Sequence, residues 1–92
     1  MSAKRAESSV TIVYLARLRE VLGIASERIE LPEDVTNVAT LRAWLVARGG
    51  AFATELGPRR AVRIAVNHDL ARPETQVGAG DEIALFPPVT GG

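Results

Sequence analysis

Asn37-Val38-Ala39-Thr40-Leu41-Arg42-Ala43-Trp44-Leu45-Val46-Ala47-Arg48 is the stretch on which the fold turns. Val38, Leu41, Trp44 and Leu45 recur at the three-and-four spacing that lines one side of a helix with apolar groups. Thr36 or Asn37 offers an oxygen to the unpaired N–H groups of the first turn. Arg48 suits the negative end of the helix dipole, and Gly49-Gly50 stops the helix. A helix with one apolar side needs a surface to cover, and its flanks read as strands.

On the N-terminal side, Val10-Thr11-Ile12-Val13-Tyr14-Leu15 has the β-branched and aromatic composition of a half-buried strand. Leu15, Leu18 and Leu22 follow near helical spacing, closed by Gly23, which predicts a short helix. Glu27-Arg28-Ile29-Glu30-Leu31 alternates polar and apolar before Pro32, as an edge strand does. On the C-terminal side, Phe52 to Leu56 adds one helical turn before Gly57-Pro58. Ala61 to Asn67 reads as a strand with Val62, Ile64 and Val66 on one face and Arg63 on the other. Asn67-His68-Asp69 and Gly80-Asp81 have turn chemistry, and 70–79 reads as loop. Glu82 to Phe86 is the last strand, ended by Pro87-Pro88, which cannot donate ladder hydrogen bonds. The order predicts an α+β domain, a small mixed sheet packed on one main helix. Residues 1–9 read as a flexible extension, 10–86 as the domain and 87–92 as an extended tail.

Composition narrows the function. The 92 residues are 47% hydrophobic, with eleven basic and eleven acidic side chains and no cysteine. One domain of this size buries roughly 60–65% of its unfolded surface and folds without staples. The absent basic excess argues against a nucleic-acid partner. Charges interrupt every apolar run short of the ~20 residues of a membrane span, and the start lacks an apolar leader core. With no cysteine there is no disulfide, thiolate metal site or thiol nucleophile, and a cytoplasmic protein is expected.

No catalytic constellation emerges. His68, the one histidine, lies in a turn beside Asp69 and reads as a loop residue. One histidine without cysteine makes no typical zinc site, so no metal and no cofactor are expected. Glu33-Asp34 and Asp81-Glu82 sit at turns, where solvation explains them, and the glycine pairs lack phosphate-loop spacing. Charge is nonetheless sorted along the chain. Segment 20–34 carries five acidic residues against Arg28, whereas 58–72 carries Arg59, Arg60, Arg63 and Arg72 against Asp69. Arg59, Arg60 and Arg63 are therefore candidate docking residues for a protein partner.

From Ile83 to Gly92 there is no charge at all. Pro87-Pro88 favour an extended backbone, and Gly91-Gly92 thin the end to two residues without side chains. Seven residues from Phe86 to Gly92 span about 20 Å when extended, enough to thread another protein's channel. Such an end suits a site where the terminal carboxylate is the reacting group.

Phe86-Pro87-Pro88-Val89-Thr90-Gly91-Gly92 resembles the terminal motif of the molybdopterin synthase small-subunit (MoaD) family, sulfur carriers with the ubiquitin-like β-grasp fold. Tyr14-Leu15-Ala16-Arg17-Leu18-Arg19-Glu20 with Leu22-Gly23 resembles that family's first strand and short helix, and Val66-Asn67 and Gly80-Asp81-Glu82 fall where the family places them. The resemblance implies that Gly92 is adenylated by a ubiquitin-activating-type (MoeB-like) adenylyltransferase and converted to a thiocarboxylate. The tail then enters the large synthase subunit (MoaE-like), which receives the sulfur onto a cyclic pyranopterin precursor for molybdenum cofactor biosynthesis. Phe86, Pro87 and Pro88 would anchor the tail, Val89 and Thr90 line the channel, and Gly91 and Gly92 enter the active sites. The chain alone would be a non-catalytic subunit of a heterotetramer. Alternatives are a sulfur carrier for thiazole or cysteine biosynthesis, a ubiquitin-like protein modifier, or a non-covalent binding module.

Overall fold

A computed structural model describes residues 9–88. Five strands, β1 (Ser9–Tyr14), β2 (Ser26–Glu30), β3 (Arg63–Val66), β4 (Asp69–Leu70) and β5 (Glu82–Phe86), form one mixed sheet in the order β2-β1-β5-β3-β4. β5 lies in the middle, parallel to β1 and antiparallel to β3. The described residues also form three helices: α1 (Ala16–Leu22), α2 (Val38–Val46) and α3 (Gly50–Leu56). Ser9, assigned to the extension from sequence, already pairs with Glu30 as the first residue of β1.

Alternation along the strands divides the sheet into two faces. Val10, Ile12 and Tyr14 of β1, Ile29 of β2, Ile64 and Val66 of β3, and Ile83 and Leu85 of β5 are buried in a single core. The helices close it with Leu18 from α1, Val38, Leu41 and Leu45 from α2, and Leu56 from α3. The predicted apolar side of the main helix is therefore the side that is buried, except that Trp44 is only partly covered. Among the core residues Leu45 and Ile83 have no exposed surface, so truncating either to Ala would cost about 2–5 kcal/mol.

The ends of the helices show why they start and stop. Asn37 caps α2: its Oδ1 accepts from the Thr40 N–H at 2.8 Å, while Thr40 Oγ1 accepts from the Asn37 N–H at 3.0 Å. The next orphan donors are taken by a loop, since the Val38 and Ala39 N–H groups donate to the Thr75 and Pro73 carbonyls. Gly23 closes α1 in the left-handed conformation at φ 78°, where a side chain would be strained. Arg48 does not stay on its helix end. Its guanidinium pairs with Glu27 of β2 and stacks over the Trp44 and Phe52 rings, tying the helix layer to the edge strand.

Two elements depart from the sequence reading. The turn expected at 52–56 is a seven-residue helix, α3, and the loop expected from residue 70 begins with the edge strand β4. β4 follows from the Asn67-His68 hairpin turn, whose residues adopt φ 50° and 76°, the pair of positive values that matches strand twist and folds β4 back on β3. α3 is held by Leu56, buried in the core, and by Arg42, whose Nε donates to the Leu56 carbonyl.

Candidate functional site

The predicted tail residues that the structure describes, Phe86, Pro87 and Pro88, lie at the end of β5. Leu85 is fully buried and paired with Tyr14, and its carbonyl accepts the Leu15 N–H at 3.0 Å. Phe86 lies opposite Arg63 on the other face, where it is only partly covered. Pro87 and Pro88 then leave the sheet, and the ladder ends because they have no N–H to give. The chain thus departs from a central strand held on both sides. Val89, Thr90, Gly91 and Gly92 lie outside the described residues.

The face of the sheet away from the helices carries a row of small and apolar groups. Register places Leu70, Ala65, Ala84 and Val13 side by side across four strands. Leu70 is 66% exposed, and Leu15, just past the end of β1, is 42% exposed. Exposed large aliphatic groups sharing a face with Phe86 suit a surface that a partner covers. The sequence reading missed Leu15 and Leu70. The signal for Leu15 was present, because inward Val10, Ile12 and Tyr14 leave Val13 and Leu15 pointing outward.

On the helix side, Pro87 borders a polar cleft of about 180 Å³ with Arg17, Leu18, Glu55, Arg59, Arg60, Ala61 and Val62. Glu55 is the buried charge here, at 6% exposure. Its Oε1 accepts from Arg60 Nη2 at 2.9 Å and from Arg17 Nη1. Hydrogen bonds from Arg60 and then Arg17 hold its carboxyl below the ordinary carboxylate range. Ala16, between Leu15 and Arg17, has φ 53°, a strained value for a residue with a side chain. This sharp bend is how one short segment sends Leu15 to the sheet face and Arg17 to the cleft.

The three candidate docking arginines are split between the two sides. Arg59 and Arg60 line the cleft, whereas Arg63 sits on β3 beside Phe86. Arg42 of α2 holds the turn that carries the first two: its Nε donates to the Leu56 carbonyl at 2.7 Å, and its Nη2 to the Gly57 and Arg60 carbonyls, each at 2.8 Å. A larger apolar cavity of about 550 Å³ opens between α2 and β3, and its two charged neighbours, Arg42 and Arg63, bring no acid or base group suited to catalysis. His68 is an exposed turn residue 3.3 Å from Glu82. Among the described residues no cluster of His, Asp or Glu could hold a metal ion, and no helix is long and apolar enough to cross a membrane.

Asn67 and Asp81 have a structural task. Asn67 Nδ2 donates to Asp81 Oδ1 at 2.9 Å, and Asn67 Oδ1 accepts the Glu82 N–H at 3.0 Å, locking the hairpin turn to the start of β5.

Known proteins resemble this chain in sequence and in fold. A molybdopterin synthase sulfur carrier subunit of Haemophilus influenzae is 35% identical over 83 residues, covering 90% of this chain and 99% of that protein. The structure of small archaeal modifier protein 1 from Haloferax volcanii superposes with a TM-score of 0.72 at 28% identity, over 89% of this chain and 99% of its own. The complex of subunits 1 and 2 of molybdopterin-converting factor from Helicobacter pylori contains a chain that matches at TM-score 0.64 and 27% identity, over 91% and 99%. The ThiS family model matches residues 12–92, nearly the whole chain and through its last glycine, so this protein belongs to the ThiS family and has its ubiquitin-like β-grasp fold.

Proposed function

We infer that this chain is the sulfur-carrier subunit of a molybdopterin synthase, with the Gly92 carboxyl as the atom group that holds the sulfur. The reading is supported above all by where the tail begins: on a central, fully paired strand, at the junction of an apolar face and a cationic cleft. The relatives named as molybdopterin synthase sulfur carrier subunits support the same acceptor. A carboxylate is a poor electrophile, so its oxygen first attacks the α-phosphorus of ATP with loss of pyrophosphate. A sulfur nucleophile then displaces AMP from the acyl carbon, splitting one hard step into two easier ones. The resulting thiocarboxylate gives its sulfur to a cyclic pyranopterin precursor.

In this scheme acid–base and phosphate-binding groups come from two partners, an adenylyltransferase (MoeB-like) and the large synthase subunit (MoaE-like). The second partner has a counterpart in the Helicobacter pylori complex of subunits 1 and 2. Two copies of each subunit would form the working heterotetramer, in the cytoplasm. Phe86, Pro87 and Pro88 anchor the tail, Leu15 and Leu70 join Phe86 in the covered face, and Val89, Thr90 and Gly91 occupy the channel ahead of Gly92.

Intact-mass spectrometry of the chain recovered from cells tests the reading, and should show sulfur in place of oxygen at the C-terminus. Adding one alanine after Gly92 should abolish sulfur transfer and leave the fold intact. Full transfer by that fusion would refute the carrier reading. The likeness to a small archaeal modifier favours a second reading, conjugation to lysine through Gly92, which the same spectra would reveal as isopeptide adducts. Co-purification of a thiazole synthase instead of a large synthase subunit would move the acceptor to thiazole biosynthesis.

A further inference from the structure

The arginines around Pro87 are not equivalent. Arg17 and Arg60 share the Glu55 carboxylate, and two guanidinium groups on one carboxylate leave one positive charge uncompensated. Arg59, exposed beside them, makes no ion pair among the described residues and adds a second. Among the described residues Glu55 is the sole carboxylate lining the cleft. Arg42 clamps the turn from inside through three carbonyls, so the backbone that carries Arg59 and Arg60 is held in place before any partner arrives. At about 180 Å³ the cleft is smaller than the ~300–1,000 Å³ of sites for whole small molecules, yet it admits one carboxylate side chain.

We propose that this cleft is the docking point for an Asp or Glu side chain on the large synthase subunit, at the rim of the channel that takes the tail. The proposal rests on the carrier reading. It gives the cleft a second consequence besides attraction. Pro87 is part of its wall, and five residues separate that wall from the chain end, so seating the carboxylate fixes how deep Gly92 reaches, at most about 17 Å. The charge pair steers the encounter, and the seated pair sets the insertion depth.

The test is the affinity of the full-length chain for the large subunit of the same organism, measured by calorimetry at low and high salt. Arg59→Glu should weaken binding about tenfold at low salt, with the difference shrinking at high salt. Arg59→Lys keeps the charge and should retain most of the affinity. Arg28→Glu, at the opposite end of the sheet beside Thr11, should change it less than about twofold. Among the described residues Arg59 has no side-chain ion pair to lose, and a thermal melt checks that the variant folds. Wild-type affinity of Arg59→Glu, or a loss seen only toward the adenylyltransferase, would overturn the docking proposal. A chain lacking Gly91-Gly92 separates the two claims. It should bind and yield no product, and product from it would refute the carrier reading whatever Arg59 does.

Discussion

Glu27 joins three elements through one carboxylate. Tyr14 Oη, rising from the core, donates to its Oε2 at 2.6 Å, and Arg48 approaches both oxygens at 2.8 and 3.1 Å. Burial pushes this carboxyl up, but the hydrogen bonds from Arg48 and Tyr14 outweigh it and hold the group below its ordinary range. Burial first, and then the bond to Glu27, push the Tyr14 phenol far above its ordinary value. The two shifts bound the stable pH range from opposite sides. Below the ordinary carboxylate value of about 4.3 the unfolded chain binds the proton more readily than the folded one. Stability from Glu27 is therefore complete above that pH and lost as pH falls through the depressed folded value. Glu55 adds to the same acid limb. For Tyr14 the sign reverses: its contribution is complete below about pH 10 and lost above it. Urea titrations across pH should show Glu27→Gln with a shallower acid limb and about 1 kcal/mol less stability at neutral pH. Tyr14→Phe should flatten the alkaline limb.

Helix α2 gives Val38, Leu41 and Leu45 to the core, and its start is tied down twice, by the Asn37–Thr40 capping box and by the Pro73 and Thr75 carbonyls. Asn37→Ala removes only the side-chain half of this arrangement. It should cost about 1 kcal/mol, read as a lower urea midpoint at unchanged slope. How far an element was legible in the sequence depended on its length and on where its partners lie. α2 announced itself through three-and-four spacing plus a cap, β1 through β-branched and aromatic residues, and β5 through the two prolines that end it. β4 has two residues, too few to show any period, and exists because the Asn67-His68 turn returns the chain to β3. α3 is seven residues long and opens on Gly50, so its helical character comes from packing Leu56 into the core and from the Arg42 clamp on its last carbonyl. The uncharged tail with its two prolines and two glycines could be read from composition. Its surroundings could not, because Arg17 and Glu55 stand 38 positions apart and no local spacing links them.

At the scale of the whole molecule, neutrality is a sum of separated parts. The acidic stretch 20–34 runs through the β2 edge, while Arg59, Arg60 and Arg63 gather around the departure of the tail. The boundaries of the folded unit follow from pairing. Ser9 accepts the Gly80 N–H at 2.8 Å, and Val10 is 1% exposed. A chain beginning at Ser9 should melt at the temperature of the full chain, as calorimetry would show. One beginning at Thr11 should lose about 1.5–3 kcal/mol with the Val10 side chain. The parallel alignment of β1 and β5 has a mechanical consequence. Four register pairs, Thr11 with Glu82 through Tyr14 with Leu85, lie between a strand entered from the front of the chain and one that leads to its end. A pull on the tail against the front of the chain loads these pairs in shear, all at once. An antiparallel partner pulled in the same way would open one bond at a time, like a zipper. Tension between the start of β1 and the end of β5 therefore meets the resistance of four pairs together instead of one after another.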